Sequence, residues 1–141
     1  LKGNSTLQVL HVDGHALQID ELKGTKPTEK IDLSHKGLDV ASAFIIASCI
    51  KGNSVLKELD LGYNQLCGID DEGNGTYTAE GITKLCEGLK GSAVTSLNLV
   101  CNDLGPDAGA ALAEGLKGNS TLQVLDLALN QLGPEGGAAI A

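Results

Sequence analysis

The sequence contains no arginine, no tryptophan and no methionine, and Phe44, Tyr63 and Tyr77 are its only aromatic residues. Without arginine there is no planar guanidinium to grip a carboxylate or phosphate through two parallel hydrogen bonds. Ten lysines face eighteen carboxylates, which leaves a formal net charge of −8. An acidic chain this poor in aromatics lacks both the basic footprint and the stacking platforms of a nucleic-acid binder, so no nucleic acid is expected as a partner. No stretch approaches 18 consecutive apolar residues, so no membrane-spanning helix and no membrane partner are expected. The N-terminus has neither a charged-then-apolar signal layout nor an initiator methionine. What the chain does have is leucine, isoleucine, valine and alanine. Its 141 residues are one domain's worth, and 42% of them are hydrophobic, enough to bury a core.

Those apolar residues are not spread at random. Leu1–Leu10 reads LKGNSTLQVL, and Leu116–Leu125 reads the same. Between them a pattern L-x-x-L-x-L-x-x-N-x-L recurs. Its clearest copies are Leu122, Leu125, Leu127, Asn130, Leu132 and Leu56, Leu59, Leu61, Asn64, Leu66. A third runs Val94, Leu97, Leu99, Asn102, Leu104, and two weaker ones begin at Leu7 and Thr28, with His15 and Lys36 at the asparagine position. Units starting near 7, 28, 56, 94 and 122 are 21, 28, 38 and 28 residues apart. The basic unit is therefore 28 residues. The first unit is short by seven and the third long by ten, through an insertion within 67–77.

Each unit changes period halfway. Alternating positions such as Leu125 and Leu127 predict a strand. The second half, GPDAGAALAEGLKG from Gly105 to Gly118, predicts a helix. Pro106 suits its first turn, Asp107 the positive end of its dipole and Gly118 its stop. Ala108, Leu112 and Leu116 recur at spacing four and make one apolar face. Matching helices are predicted over Val40–Lys51 and roughly Thr78–Lys90, whereas Gln18–Pro27 shows no helix pattern. A strand plus a helix cannot bury its own apolar face, but stacked units cover one another.

The motif and its 28-residue period resemble leucine-rich repeats of the ribonuclease-inhibitor type, as found in NOD-like receptor arrays, and Asn130–Ala141 is close to that subfamily's consensus. The resemblance implies a single leucine-rich-repeat domain over 1–141. Its fold would be a curved α/β solenoid of about five units, with a parallel sheet on the concave side and helices on the convex side. It also implies that Asn64, Asn102 and Asn130 form a structural ladder between turns. Both ends cut through a repeat and no polar capping unit is visible, so a piece of a longer array is expected.

Strand alternation assigns the concave face. Motif position five holds His11, Asp32, Asp60, Asn98 and Asp126. Position three holds Val9, Lys30, Glu58, Ser96 and Val124. Position seven holds Asp13, Ser34, Gly62, Val100 and Ala128, and position eight Gly14, His35, Tyr63, Cys101 and Leu129. Asp32, Asp60 and Asp126 with Glu58 would form an acidic stripe for a basic protein partner, with Asn98 in the same row and Tyr63 as an aromatic anchor. The alternative is that these polar residues only solvate the sheet.

The insertion, CGIDDEGNGTY, is expected to protrude and to help select the partner. Three carboxylates, Asp70, Asp71 and Glu72, precede Asn74, and Asp70, Glu72, Asn74 and Gly75 fall at relative positions 1, 3, 5 and 6 of a calcium loop. The closing glutamate fails, because Gly81 stands where it should be, so no metal site is assigned. Cys49 and Cys86 read as buried apolar residues, and Cys67 and Cys101 as rim residues open to solvent and possible disulfide partners. The four cysteines lack zinc-site spacing and suit a reducing, cytoplasmic compartment. No nucleophile, base and orienting residue come together, no phosphate loop is present and no cofactor is expected, so the chain does not read as an enzyme. The expected function is protein recognition through the concave sheet and the 67–77 loop. Two alternatives are regulation of a small GTPase and a spacer role within a larger protein.

Overall fold

The computed structural model describes residues 3–141, so the expectation that Leu1 closes a helix lies outside it. A two-stranded hairpin comes first, β1 (Val9–Val12) and β2 (His15–Gln18), followed by the short helix α1 (Ile19–Lys23). Strand and helix then alternate: β3 (Lys30–Asp32), α2 (Val40–Ile50), β4 (Glu58–Asp60), α3 (Glu80–Lys90), β5 (Ser96–Asn98), α4 (Gly105–Gly115), β6 (Val124–Asp126) and α5 (Gly133–Ile140). The strands β3 to β6 form one parallel sheet in sequence order, and the hairpin forms a separate antiparallel pair.

The sheet registers follow the sequence motif. Lys30, Glu58, Ser96 and Val124 pair along one row, Ile31, Leu59, Leu97 and Leu125 along the next, and Asp32, Asp60, Asn98 and Asp126 along the third. Alternation sends the leucine row inward, where Leu59, Leu61, Leu97 and Leu99 are at most 2% exposed. The helices close the other side of the core. Asp39 caps α2 by accepting from the Val40 amide, and prolines stand in the first turns of α4 and α5. Small residues let α2 and α3 approach closely, and a Cβ on Gly88 would strike the Ala47 carbonyl. A larger residue there would push the helices apart.

The first expected unit is corrected by the structure. Residues 9–12 do not open the parallel sheet; they pair antiparallel with 15–18. The cause is Asp13–Gly14, which adopts φ of 53° and 76°, the two left-handed positions of a two-residue hairpin turn whose twist suits antiparallel strands. His11 therefore lies outside the position-five row. Asp13 does not face outward from the sheet either: its Oδ2 accepts from the Asp39 and Ser42 amides and from Ser42 Oγ at 2.6 Å. The hairpin turn thus satisfies amides at the start of α2, where Ser42 is fully buried. The segment without a helix pattern contains α1, whose Ile19 and Leu22 enter the core.

Between the core and the sheet's C-terminal edge run three buried asparagines. Asn64 Nδ2 donates to the carbonyls of Leu61 and Gly62 in its own turn and of Leu33 in the turn before, while its Oδ1 accepts from the amides of Lys36 and Leu38. Asn102 repeats this toward Leu99, Val100 and Leu61, accepting from Leu66, and Asn130 toward Leu127, Ala128 and Leu99, accepting from Asn102 and Leu104. Each side chain pins two successive turns at a fixed spacing. Replacing Asn102 with alanine strands buried carbonyls and an amide, each costing about 1–3 kcal/mol. Asn102→Ala is expected to lower unfolding stability by roughly 3 kcal/mol in urea titration, and a loss below about 1 kcal/mol would show that the ladder is dispensable.

Candidate functional site

The exposed face of the parallel sheet is the feature the motif organises most regularly. Asp32, Asp60, Asn98 and Asp126 stand in register along it. Each has a local task as well as a charge or dipole. Asp32 Oδ1 accepts from the Ser34 amide (2.9 Å) and hydroxyl (2.6 Å), Asp60 from Gly62 (2.9 Å), Asn98 from Val100 (2.9 Å) and Asp126 from Ala128 (3.0 Å). The row therefore terminates each strand with the same side-chain turn, a role any Asp or Asn can fill. The Ser34 hydroxyl and amide hold the Asp32 carboxyl below the usual carboxylate range. Beside this row, Lys30 and Glu58 pair across β3 and β4 at 3.3 Å, with both side chains largely exposed. Glu58 thus shares its charge with a neighbour instead of extending the acidic stripe.

Three residues past each strand's turn-forming side chain the backbone turns left-handed. His35, Tyr63, Cys101 and Leu129 have φ of 56°, 56°, 54° and 58°. None is glycine, and such a conformation costs a side chain about 1–2 kcal/mol. The following asparagine holds the turn: its Nδ2 grips the carbonyls two and three residues back, immediately before the left-handed residue. At Lys36, which replaces the asparagine, the turn is held through the Lys36 amide and Asn64. The forced conformation puts a row of side chains along the rim. Tyr63 is 44% exposed and Leu129 69%, and the rings of His35 and Tyr63 stack with centroids 4.2 Å apart.

The 67–77 insertion sits between β4 and α3. Asp70, near its start, accepts from the amides of Glu72 and Asn74 and from Asn74 Nδ2. These bonds hold its carboxyl below the usual range, the Asn74 amide contributing most. The Asp70 carboxylate thus closes its own loop, while Asp71, Glu72 and Asn74 are exposed at the tip. Among the described residues no group of three or more His, Cys, Asp or Glu side chains is placed to hold a metal ion.

Tyr77 anchors the far end of the insertion. Its hydroxyl donates to the Leu104 carbonyl and accepts from the Ala108 amide at 3.1 Å. It is interposed where the first turn of α4 would otherwise bond to itself. Burial raises its pKa. A groove of about 310 Å³ lies alongside, lined by Ile69, Tyr77, Asp103, Gly105, Pro106, Asp107 and Gln131. Asp103 titrates above its ordinary value, first from burial and then from Asp71 and Asp70.

Cys67 is fully buried beside Tyr77, which corrects the expectation of an open rim position. It lies on the core side of the turn, because the chain enters the insertion there. All four cysteines are free thiols, and Cys101 is the partly exposed one. Burial pushes Cys67 and Cys86 up to about 11.

Comparison with known proteins places this geometry in a family context. Residues 52–73, 93–113 and 118–141 match the sequence model of the Leucine Rich repeat family. These three segments, a little under half of the chain, are similar to leucine-rich repeats. Among curated proteins none matches it in sequence. Among solved structures, leiomodin-1 actin-binding site 2 is similar with a TM-score of 0.69 at 17% identity, over 86% of this chain and 67% of that one. At that identity the likeness is one of fold. Sequence reading missed the strand-ending side-chain turns, which carry a local Asp/Asn-x-x signal, and the Tyr77 anchor, which spans 27 residues and carries none.

The thiols give a direct check. At pH 8 the native protein is expected to react rapidly with Ellman's reagent at Cys101 alone, the other three thiols reacting after denaturation; two fast thiols would contradict the placement of Cys67. The folded pKa of Cys67 and Cys86 lies above the free-thiol value of 9.0. Their contribution to stability is therefore complete below pH 9 and is lost as pH rises toward 11.

Proposed function

We propose that the chain is a protein-recognition module, not an enzyme, whose partner meets the outward face of the β3–β6 sheet with help from the 67–77 loop. One observation carries this reading: four in-register strands display matching rows of outward side chains, of which Tyr63, Val124 and Leu129 are large, apolar and exposed. Exposed apolar residues in an ordered array, bordered by carboxylates, are characteristic of a surface that another protein covers. Asp32, Asp60 and Asp126 would attract a basic surface, with Asn98 between them and Tyr63 as the anchor. The full helical turns of α2, α3 and α4 support the ribonuclease-inhibitor type of repeat. In that type the sheet lines the concave side. The structural neighbour, an actin-binding site, adds a precedent for binding a protein through this fold.

The strand-ending bonds of the aspartates shape the test. Lysine at these positions would remove a backbone acceptor as well as a charge, whereas asparagine keeps the acceptor, as Asn98 does. Affinity capture from cell lysate is expected to retain a partner on the native chain. That partner should be lost when Asp32, Asp60 and Asp126 are all changed to asparagine, and kept by a Glu114→Gln control on α4. Thermal midpoints of the two variants should stay within about 3 °C of the native value, since the turns survive. Retention of the same proteins by both variants would remove the sheet face from the binding surface.

A further inference from the structure

The outward face is divided lengthwise. Along position five run Asp32, Asp60, Asn98 and Asp126. Along positions seven and eight run Ser34, Gly62, Val100 and Ala128, then His35, Tyr63, Cys101 and Leu129. The first row is polar and carries three carboxylates. The second is largely apolar, with Tyr63 stacked on His35 at one end and Leu129 exposed at the other. Lys30 and Glu58 offset each other on the far side of the acidic row, and among the described residues no ion pair engages Asp32, Asp60 or Asp126. The acidic row therefore keeps most of its charge.

Both rows cross the strands instead of following them. Four strands about 4.8 Å apart give each row a length of roughly 14 Å. Two residues along a strand separate the rows by roughly 7 Å. An extended peptide laid across the strands presents a single line of side chains to the surface, because alternate residues point away. It can serve one row or the other. An α-helix presents two adjacent edges. Residues at i, i+3, i+4 and i+7 cover roughly 10 Å along one edge, and the neighbouring edge lies within the helix diameter of about 10–12 Å.

We infer that the partner presents a basic amphipathic helix that lies across β3–β6, its apolar edge over Tyr63, Val100, Ala128 and Leu129 and its lysines or arginines over Asp32, Asp60 and Asp126. This rests on the reading that the sheet face is the contact surface. The charge complementarity orients the helix: its basic edge faces the strands' interior and its apolar edge the rim. The helix meets both rows without displacing the strand-ending bonds, because each aspartate commits Oδ1 to the backbone and leaves Oδ2 for the partner.

Two synthetic 14-residue peptides of identical leucine, lysine and alanine composition test this. One places leucines at i, i+3, i+4, i+7 and i+11 with lysines on one flank; the other alternates leucine and lysine and favours an extended strand. Amide shifts of the 15N-labelled chain are followed on titration at 20 and 150 mM salt. The helical isomer is expected to bind at least tenfold more tightly than the alternating one, with shifts confined to outward and rim residues of the sheet. Changing Asp32, Asp60 and Asp126 to asparagine should weaken it about tenfold at low salt and flatten its salt dependence. Leu129→Ser should weaken it several-fold at both salt concentrations. Equal binding of the two isomers on the sheet face, or tighter binding of the alternating one, would overturn the helical partner and leave the sheet-face reading standing. Shifts that spread over α2–α5, or none at all at 20 mM salt, would overturn both.

Discussion

One asparagine side chain per turn does two things at once in this protein, and most of what lies above it depends on both. The side-chain amide of Asn64, Asn102 or Asn130 donates to carbonyls of its own turn and of the turn before, and its oxygen accepts from backbone amides. These are buried groups with no water to replace the bond, so each link matters more than a surface hydrogen bond of the same length. The first consequence is spacing: successive strands hold one register from β3 to β6. The second is shape. The turn closed by the asparagine holds the residue before it in a left-handed conformation, and that residue projects from the rim.

The same economy governs the outward face. A carboxylate in the position-five row ends its strand through one oxygen and faces solvent with the other. Structural and recognition readings of the acidic stripe are therefore compatible, and they separate under substitution because asparagine retains the first role and drops the second. The insertion obeys a different logic. Its tip is held by Asp70 and its end by the Tyr77 hydroxyl within the first turn of α4, so the irregular part of the surface is tied to the repeating part. Its acidic residues serve the loop and the potential around Asp103.

The repeating half of this architecture was legible because it is written at fixed spacing. Leucines at strand positions and asparagine at position nine mark turns that the structure joins through hydrogen bonds. What was not legible depends on partners distant in sequence. The decapeptide at 1–10 and 116–125 is the clearest case. Asn4 and Asn119 make the same turn, each accepting from amides two and three residues on. Yet Val9–Val12 pairs antiparallel and Val124–Asp126 parallel. The residues just beyond the decapeptide decide the pairing, Asp13–Gly14 in one case and a leucine-rich turn in the other. Sequence identity carried the local turn but not the pairing. Cys67 was misplaced for a similar reason, since it is buried beside Tyr77, ten residues further along the insertion.

Native-state hydrogen exchange along a urea series tests the ladder's central place most directly. The backbone amides of Leu38, Asn102 and Leu104 donate to the side-chain oxygens of Asn64 and Asn130, which keep them from solvent. They are expected to exchange only through global unfolding, with one shared free energy and one shared urea dependence. Independent exchange of these three amides, at the low free energy of surface loops, would show that the turns open singly and that the asparagines do not organise the sheet.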